Sequence, residues 1–176
     1  GGNLKGALIG AAIGGVSGGV IGNVMDKQAR KIENAIPGAE IERVGEGIHV
    51  IFDENSGINF DTNKSDLTTT SKLNLDNIAK VLIEFPDTNI TIQGHTDSTG
   101  NEVYNLNLSR KRADSVAQYL SSKGVLISRF NIEALGEVAP RYDNNTTQGR
   151  AQNRRVEMAI SANQEMIQDA QAKFRN

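Results

Sequence analysis

Apolar and polar positions fall into two regimes along the chain. From Leu4 to Met25 glycine recurs at every fourth position (Gly6, Gly10, Gly14, Gly18, Gly22), with leucine, isoleucine and valine between and no charge after Lys5. A spacing of four lines one face of a helix. Glycine costs a helix about 1 kcal/mol per residue against alanine, so such a segment needs close packing on another helix, or a bilayer that forces the backbone to bond internally. At ~1.5 Å per residue it reaches ~33 Å, enough for a hydrocarbon core. The pattern predicts a glycine-zipper segment over 1–25, membrane-associated or packed on a helix; a spanning helix and a hairpin both fit. The competing reading is a flexible linker, and the apolar residues between the glycines weigh against it.

Beyond Met25 the pattern changes. Asp26 to Ile36 is polar and helical, stopped by Pro37-Gly38, and reads as a helical linker over 26–39. AEIERVGEGIHVIFDE alternates and turns at Gly45-Glu46-Gly47, a β-hairpin with Ile48, Val50 and Phe52 on one face. Leu67 to Phe85 carries a helical stripe through Leu75, Ile78, Ala79, Leu82 and Ile83, ended by Pro86. NITIQG is a strand, 101–123 a helix closed by Gly124, FNIEALG a further strand, and RRVEMAI a last one with Val156, Met158 and Ile160 alternating. The order ββαβαββ predicts an α+β fold: a mixed β-sheet with two helices packed on one face, preceded by the zipper. The folded unit spans 40–161, and 162–176 reads as a polar helical tail, a candidate partner surface.

Composition narrows the function. The 176 residues suffice for one domain with a core. A net charge of -2 argues against nucleic-acid binding, and 5% aromatic residues without tryptophan argue against a base-stacking platform. Without cysteine there is neither a disulfide framework nor a thiolate metal site, and His49 and His95 are too scattered to bind a metal. No metal or cofactor is expected. The chain starts at Gly1, so a signal peptide upstream would not be seen.

The helix 101–123 focuses the chemistry. Leu106, Ala113, Ala117 and Leu120 read as its buried stripe. At about 100° per residue, Asn105 and Arg112 lie within roughly 20° of each other on one flank, with Ser109 nearby, while Lys111, Asp114 and Gln118 take the other. The preceding strand ends close by and delivers Asp97. Asp97 and Arg112 could bridge each other structurally. They could equally form a site for a zwitterion, the carboxylate holding an ammonium and the guanidinium clamping a carboxylate. No nucleophile has an activating base, and His95, on an alternating strand end, points away from Asp97's immediate neighbour positions, so no enzyme is expected.

GHTDSTGNEVYNLNLSRKRADSV, residues 94–116, resembles the hallmark of the OmpA-like peptidoglycan-binding domain family, a TD-x-x-G loop followed by N-x-x-LS-x-x-RA. NTTQGRAQNRRVE resembles its closing motif and INFDTNKSDL its opening strand and loop, three motifs in order over 48–161. KGALIGAAIGG ahead of such a domain further resembles the YiaD-like outer-membrane lipoproteins, which carry a lipidated cysteine near the N-terminus. This chain has none, so that anchor is expected to be trimmed away or absent.

The resemblance implies non-covalent binding of the peptidoglycan stem peptide through meso-diaminopimelate, tethering the outer membrane to the cell wall from its periplasmic side. It makes Asp97 and Arg112 the principal pair, with Asn105, Leu108, Thr96, Phe60 and Asp61 lining the pocket. Arg154 either touches the ligand or braces Asp97, and Arg110 and Arg155 read as surface charges. Implied partners are peptidoglycan, the outer membrane through a lipid anchor outside this chain, and a membrane-protein complex through the zipper. One alternative is a structural subunit of an outer-membrane assembly. The other is a stator-like anchor of an inner-membrane complex, against which stands the lack of an acidic residue in Leu4 to Met25.

Overall fold

A computed structural model describes residues 18–52 and 56–175. The zipper expectation for residues 1–17 lies outside them. Among the described residues no helix is long and apolar enough to cross a membrane.

Strands β1 (Glu40–Val44) and β2 (Gly47–Phe52) pair antiparallel through the two-residue turn Gly45-Glu46, which Gly45 enters at φ 58°. β3 (Thr88–His95), β4 (Phe130–Gly136) and β5 (Val156–Ala162) complete one five-stranded sheet in the order β1-β2-β5-β3-β4, parallel only between β3 and β4. The register sets Ile48, Val50 and Phe52 against Ile160, Met158 and Val156, and these against Ile90, Ile92 and Gly94, so the predicted alternation builds one apolar face. Helices α2 (Thr69–Glu84) and α3 (Glu102–Ser122) bury Leu75, Ile78, Leu82, Ala113, Val116 and Leu120 in the same core. Thr68 and Asn101 cap their first turns. Gly124, at φ 104°, ends α3: its N–H donates to Ser121 O and that of Val125 to Leu120 O, the paired bonds of a Schellman stop.

The expected α+β sandwich is thus present, with additions. Helix α1 (Gly18–Ala35) runs without a break across residue 25, and Ile21, Met25, Ile32 and Ile36 are buried in the common core. Part of the stretch read as a linker therefore packs against α2, β1 and β2. Asp26, Lys27, Arg30, Lys31 and Glu33 surround this narrow stripe and mask it in the sequence. Arg43 on β1 pairs with Asp26 and ties hairpin to helix. A short helix α4 (Thr147–Asn153) precedes β5, and α5 (Gln164–Lys173), in the predicted tail, buries Met166 and Ala170 beside α1.

Two apolar positions depart from their predicted faces. Ile83 is exposed and Val81 buried, because α1 packs on the Val81 side of α2 and rotates its buried arc. Leu106 is 47% exposed although its angle matches Ala113. It lies in the second turn of α3, at the strand ends, where the Gly136 backbone comes close to its own backbone.

Candidate functional site

The site lies where β3 and β4 end beneath the start of α3. Helix and strand meet at near contact: a Cβ on Gly94 would sit 1.9 Å from Ser109 O, so only glycine permits this approach. Ser109 is fully buried and its Oγ accepts from Gly136 N at 2.9 Å. Thr96 N donates to Gly136 O at 2.9 Å, and His95 N to Arg155 O at 3.0 Å. The strand end is fixed on both sides, so the loop beginning at Thr96 leaves it in a set direction.

Asp97 follows. Its Oδ1 accepts from Thr99 N at 2.8 Å and its Oδ2 from Arg154 Nη1 at 2.9 Å. Burial alone would raise this carboxyl, but the Thr99 amide and the Arg154 guanidinium outweigh it and hold the group below its ordinary value. Arg154 also donates through Nε to Phe60 O at 3.0 Å, so it joins the loop acid to the segment after β2.

Arg112 projects from α3 and is completely buried. It donates from Nε to Lys64 O at 2.8 Å, from Nη1 to His95 O at 3.1 Å and from Nη2 to Asp61 O at 3.0 Å. Its guanidinium carbon lies 5.1 Å from the centre of the Phe60 ring, within cation–π range. Among the described residues it has no carboxylate partner, and part of its donor fork is uncommitted. Burial, then the neighbouring Arg154 charge, pull its pKa down to about 10, and it remains a cation near neutrality.

The predicted residues therefore converge, with roles redistributed. Asp97 and Arg112 do not bridge each other; the ion pair is Asp97–Arg154, and Arg112 holds carbonyls. Asn105 reaches Asp97 O at 3.4 Å, Thr96 is buried beside the acid, and Leu108 is buried one turn before Arg112. Phe60 contributes its ring and carbonyl; Asp61 contributes its carbonyl, with its side chain exposed.

Arg155 is a correction. It is 1% exposed rather than on the surface, because it faces a polar cluster on the other side of the sheet. There Glu157 lies 2.8 Å from His95 Nε2, 3.4 Å from both His49 Nε2 and Arg155 Nη2, and 3.9 Å from Arg141 Nη1. A buried carboxylate so surrounded stays ionised: desolvation opposes this, and His49, His95 and Arg155 together overcome it. His95 thus faces Glu157, and Asp97 pairs with Arg154. Sequence reasoning also missed Glu137, whose carboxylate accepts from Asn105 Nδ2 at 2.6 Å; only its place two residues beyond Leu135 in the strand FNIEALG hinted at it.

The OmpA family model matches residues 59–154, the span of these elements, and a glycine-zipper model matches residues 1–29. The chain is 40% identical over 157 residues to the probable lipoprotein YiaD of Escherichia coli, covering 89% of this chain and 72% of that one. It is 44% identical over 87 residues to the peptidoglycan-binding protein ArfA of Mycobacterium tuberculosis, covering 49% of this chain but only 27% of that protein. The crystal structure of the peptidoglycan-associated lipoprotein of Burkholderia pseudomallei superposes with a TM-score of 0.56 at 32% identity, over 58% of this chain and 86% of that one.

Proposed function

The chain belongs to the OmpA family, and on that basis we propose that it binds peptidoglycan non-covalently, at the periplasmic side of the outer membrane, and tethers the two layers. Two relatives are named for binding to or association with peptidoglycan, another as a probable lipoprotein and another as an outer membrane porin. The reading is of a binding protein rather than a hydrolase.

One observation carries the assignment of the pocket: among the described residues no carboxylate pairs directly with the buried Arg112 cation, on which Asp97 acts only through its charge. Buried charges in folded proteins are normally paired, so a guanidinium left with carbonyls suits an incoming anion. Beside it Asp97 offers the opposite charge. The pair matches the free end of meso-diaminopimelate, which carries both an ammonium and a carboxylate. In this reading Arg112 takes the carboxylate and Asp97 the ammonium, and Arg154 braces Asp97. Asn105 and Thr96 flank the acid, while Leu108 and Phe60 enclose the aliphatic chain. Because Arg112 is covered by Phe60 and the carbonyls of Asp61 and Lys64, ligand entry requires that segment to yield.

Calorimetry with stem peptides tests this. Replacing diaminopimelate by lysine removes the carboxylate, and the wild-type protein is expected to lose about tenfold or more in affinity, the worth of one charge-assisted contact. Equal affinity for the two peptides would sink the assignment. Asp97→Asn is expected to abolish retention on purified sacculi. Its stability effect has a set pH window: the Asp97 pKa is depressed on folding, so its contribution is complete above the ordinary 3.8 and disappears as pH falls through the lower folded value. The difference in stability between wild type and Asp97→Asn should therefore be flat around neutrality and narrow as pH falls from the ordinary 3.8 through the lower folded value.

A further inference from the structure

Glu137 is delivered to the pocket by the end of β4. Gly136 closes that strand at φ 53°, and a Cβ there would stand 3.2 Å from Leu106 N and 3.4 Å from Asn105 C. The strand end is thus pressed on α3, held by the Thr96 and Ser109 bonds described above. The next residue places its carboxylate over Asn105, whose Nδ2 donates to Glu137 Oε2 at 2.6 Å and lies 3.4 Å from Asp97 O. Both partners are acceptors, so the amide nitrogen must face them. The amide oxygen is then turned toward the loop at Gly100, where a Cβ would lie 3.9 Å from it, and it is available as an acceptor.

Charge gives this arrangement a purpose. Asp97 is already neutralised by Arg154, and Arg112 adds an unpaired cation. Without Glu137 the site carries one net positive charge and suits a simple carboxylate. With Glu137 it is neutral overall and has a second anion toward the ammonium end, which suits a zwitterion. Asp61 and Lys64, whose carbonyls touch Arg112, have exposed side chains of opposite sign and leave this balance unchanged.

We propose that Glu137 is a specificity-determining residue of the site: it orients Asn105 and supplies the negative charge by which the pocket prefers a zwitterionic ligand end over a plain carboxylate. The inference rests on the reading of the pocket as a receptor for diaminopimelate.

Its test is a binding comparison on the full chain with three stem peptides ending in diaminopimelate, in 2-aminopimelate, which lacks the side-chain ammonium, and in lysine. For Glu137→Gln, affinity for the diaminopimelate peptide is expected to fall about tenfold, while affinity for the aminopimelate peptide holds or rises. Glu137→Asp keeps the charge and is expected to keep the preference. An equal loss for both peptides in Glu137→Gln would show a merely structural role and overturn the proposal, as would an unchanged preference, or an aspartate variant that behaves like the glutamine one. If the wild-type protein does not distinguish diaminopimelate from lysine, the underlying assignment of the pocket fails instead, whatever Glu137 does.

Discussion

Arg112→Ala is expected to cost about 3–5 kcal/mol, on the scale of three hydrogen bonds from a charged donor at ~1.5 kcal/mol each, or roughly 6–20 °C of melting temperature for a domain of this size. The reason is the three carbonyls from two segments that its planar fork holds together, those of Lys64, His95 and Asp61. Removing the side chain takes a donor from each, leaves the buried His95 carbonyl without it while Asp61 O keeps Lys64 N, and costs the Phe60 ring its cation. Arg112→Lys is expected to recover little of this, since a single ammonium cannot span acceptors disposed around a guanidinium. Thermal melting of both variants checks it. Recovery of most of the lost stability by lysine would mean that one positive charge suffices there, as in a simple ion pair. Since Arg112 supports the fold as well as the pocket, loss of binding in its variants does not isolate the ligand contact; Asp97 variants and ligand analogues do.

Ile32→Ala is expected to cost about 2–4 kcal/mol, as for other large apolar side chains removed from a core. Ile32 is fully buried, although it stands within the stretch whose pattern reads as a linker. Glu33→Ala, one residue on and exposed, should stay within about 0.5 kcal/mol. Urea unfolding of the two separates the cases, and small, equal effects would mean that α1 is no part of the folded unit. The same burial bears on truncation: removing residues 1–25 takes Ile21 and Met25 out of the core, so lost sacculus binding would then report unfolding. A chain beginning at Gly18 keeps both.

Strands and turns were legible in the sequence because their physics is local. Ile48, Val50 and Phe52 alternate, Gly45-Glu46 supplies the hairpin turn, and Asn101 and Gly124 punctuate α3. Less legible was anything set by the third dimension. A stripe search takes polar residues as exposed, yet Asn105, Ser109 and Arg112 share the buried arc of α3, since loop carbonyls and a strand end satisfy them. Arg155 read as a surface charge because its partners, Glu157 and the Ala139 carbonyl, come into reach only when the sheet forms. The pairing of Asp97 with Arg154 rather than Arg112 joins residues 57 positions apart, beyond any helical or strand period. Motif resemblance pointed to Asp97, Asn105, Arg112 and Arg154, which the fold brings together, but neither to Glu137 nor to which of them hold each other.

Helix α1 has a consequence for reach. A flexible tether of about ten residues would let a domain wander over roughly 17 Å. Its 18 residues instead form a rod of about 27 Å at ~1.5 Å per residue, and the rod is seated along the core rather than hung from it. No slack can be fed out between Gly18 and the loop that carries Asp97. Wherever Gly18 is held, the loop that carries Asp97 keeps one distance from it, so under the proposed binding the fold would work as a ruler for the gap between membrane and cell wall.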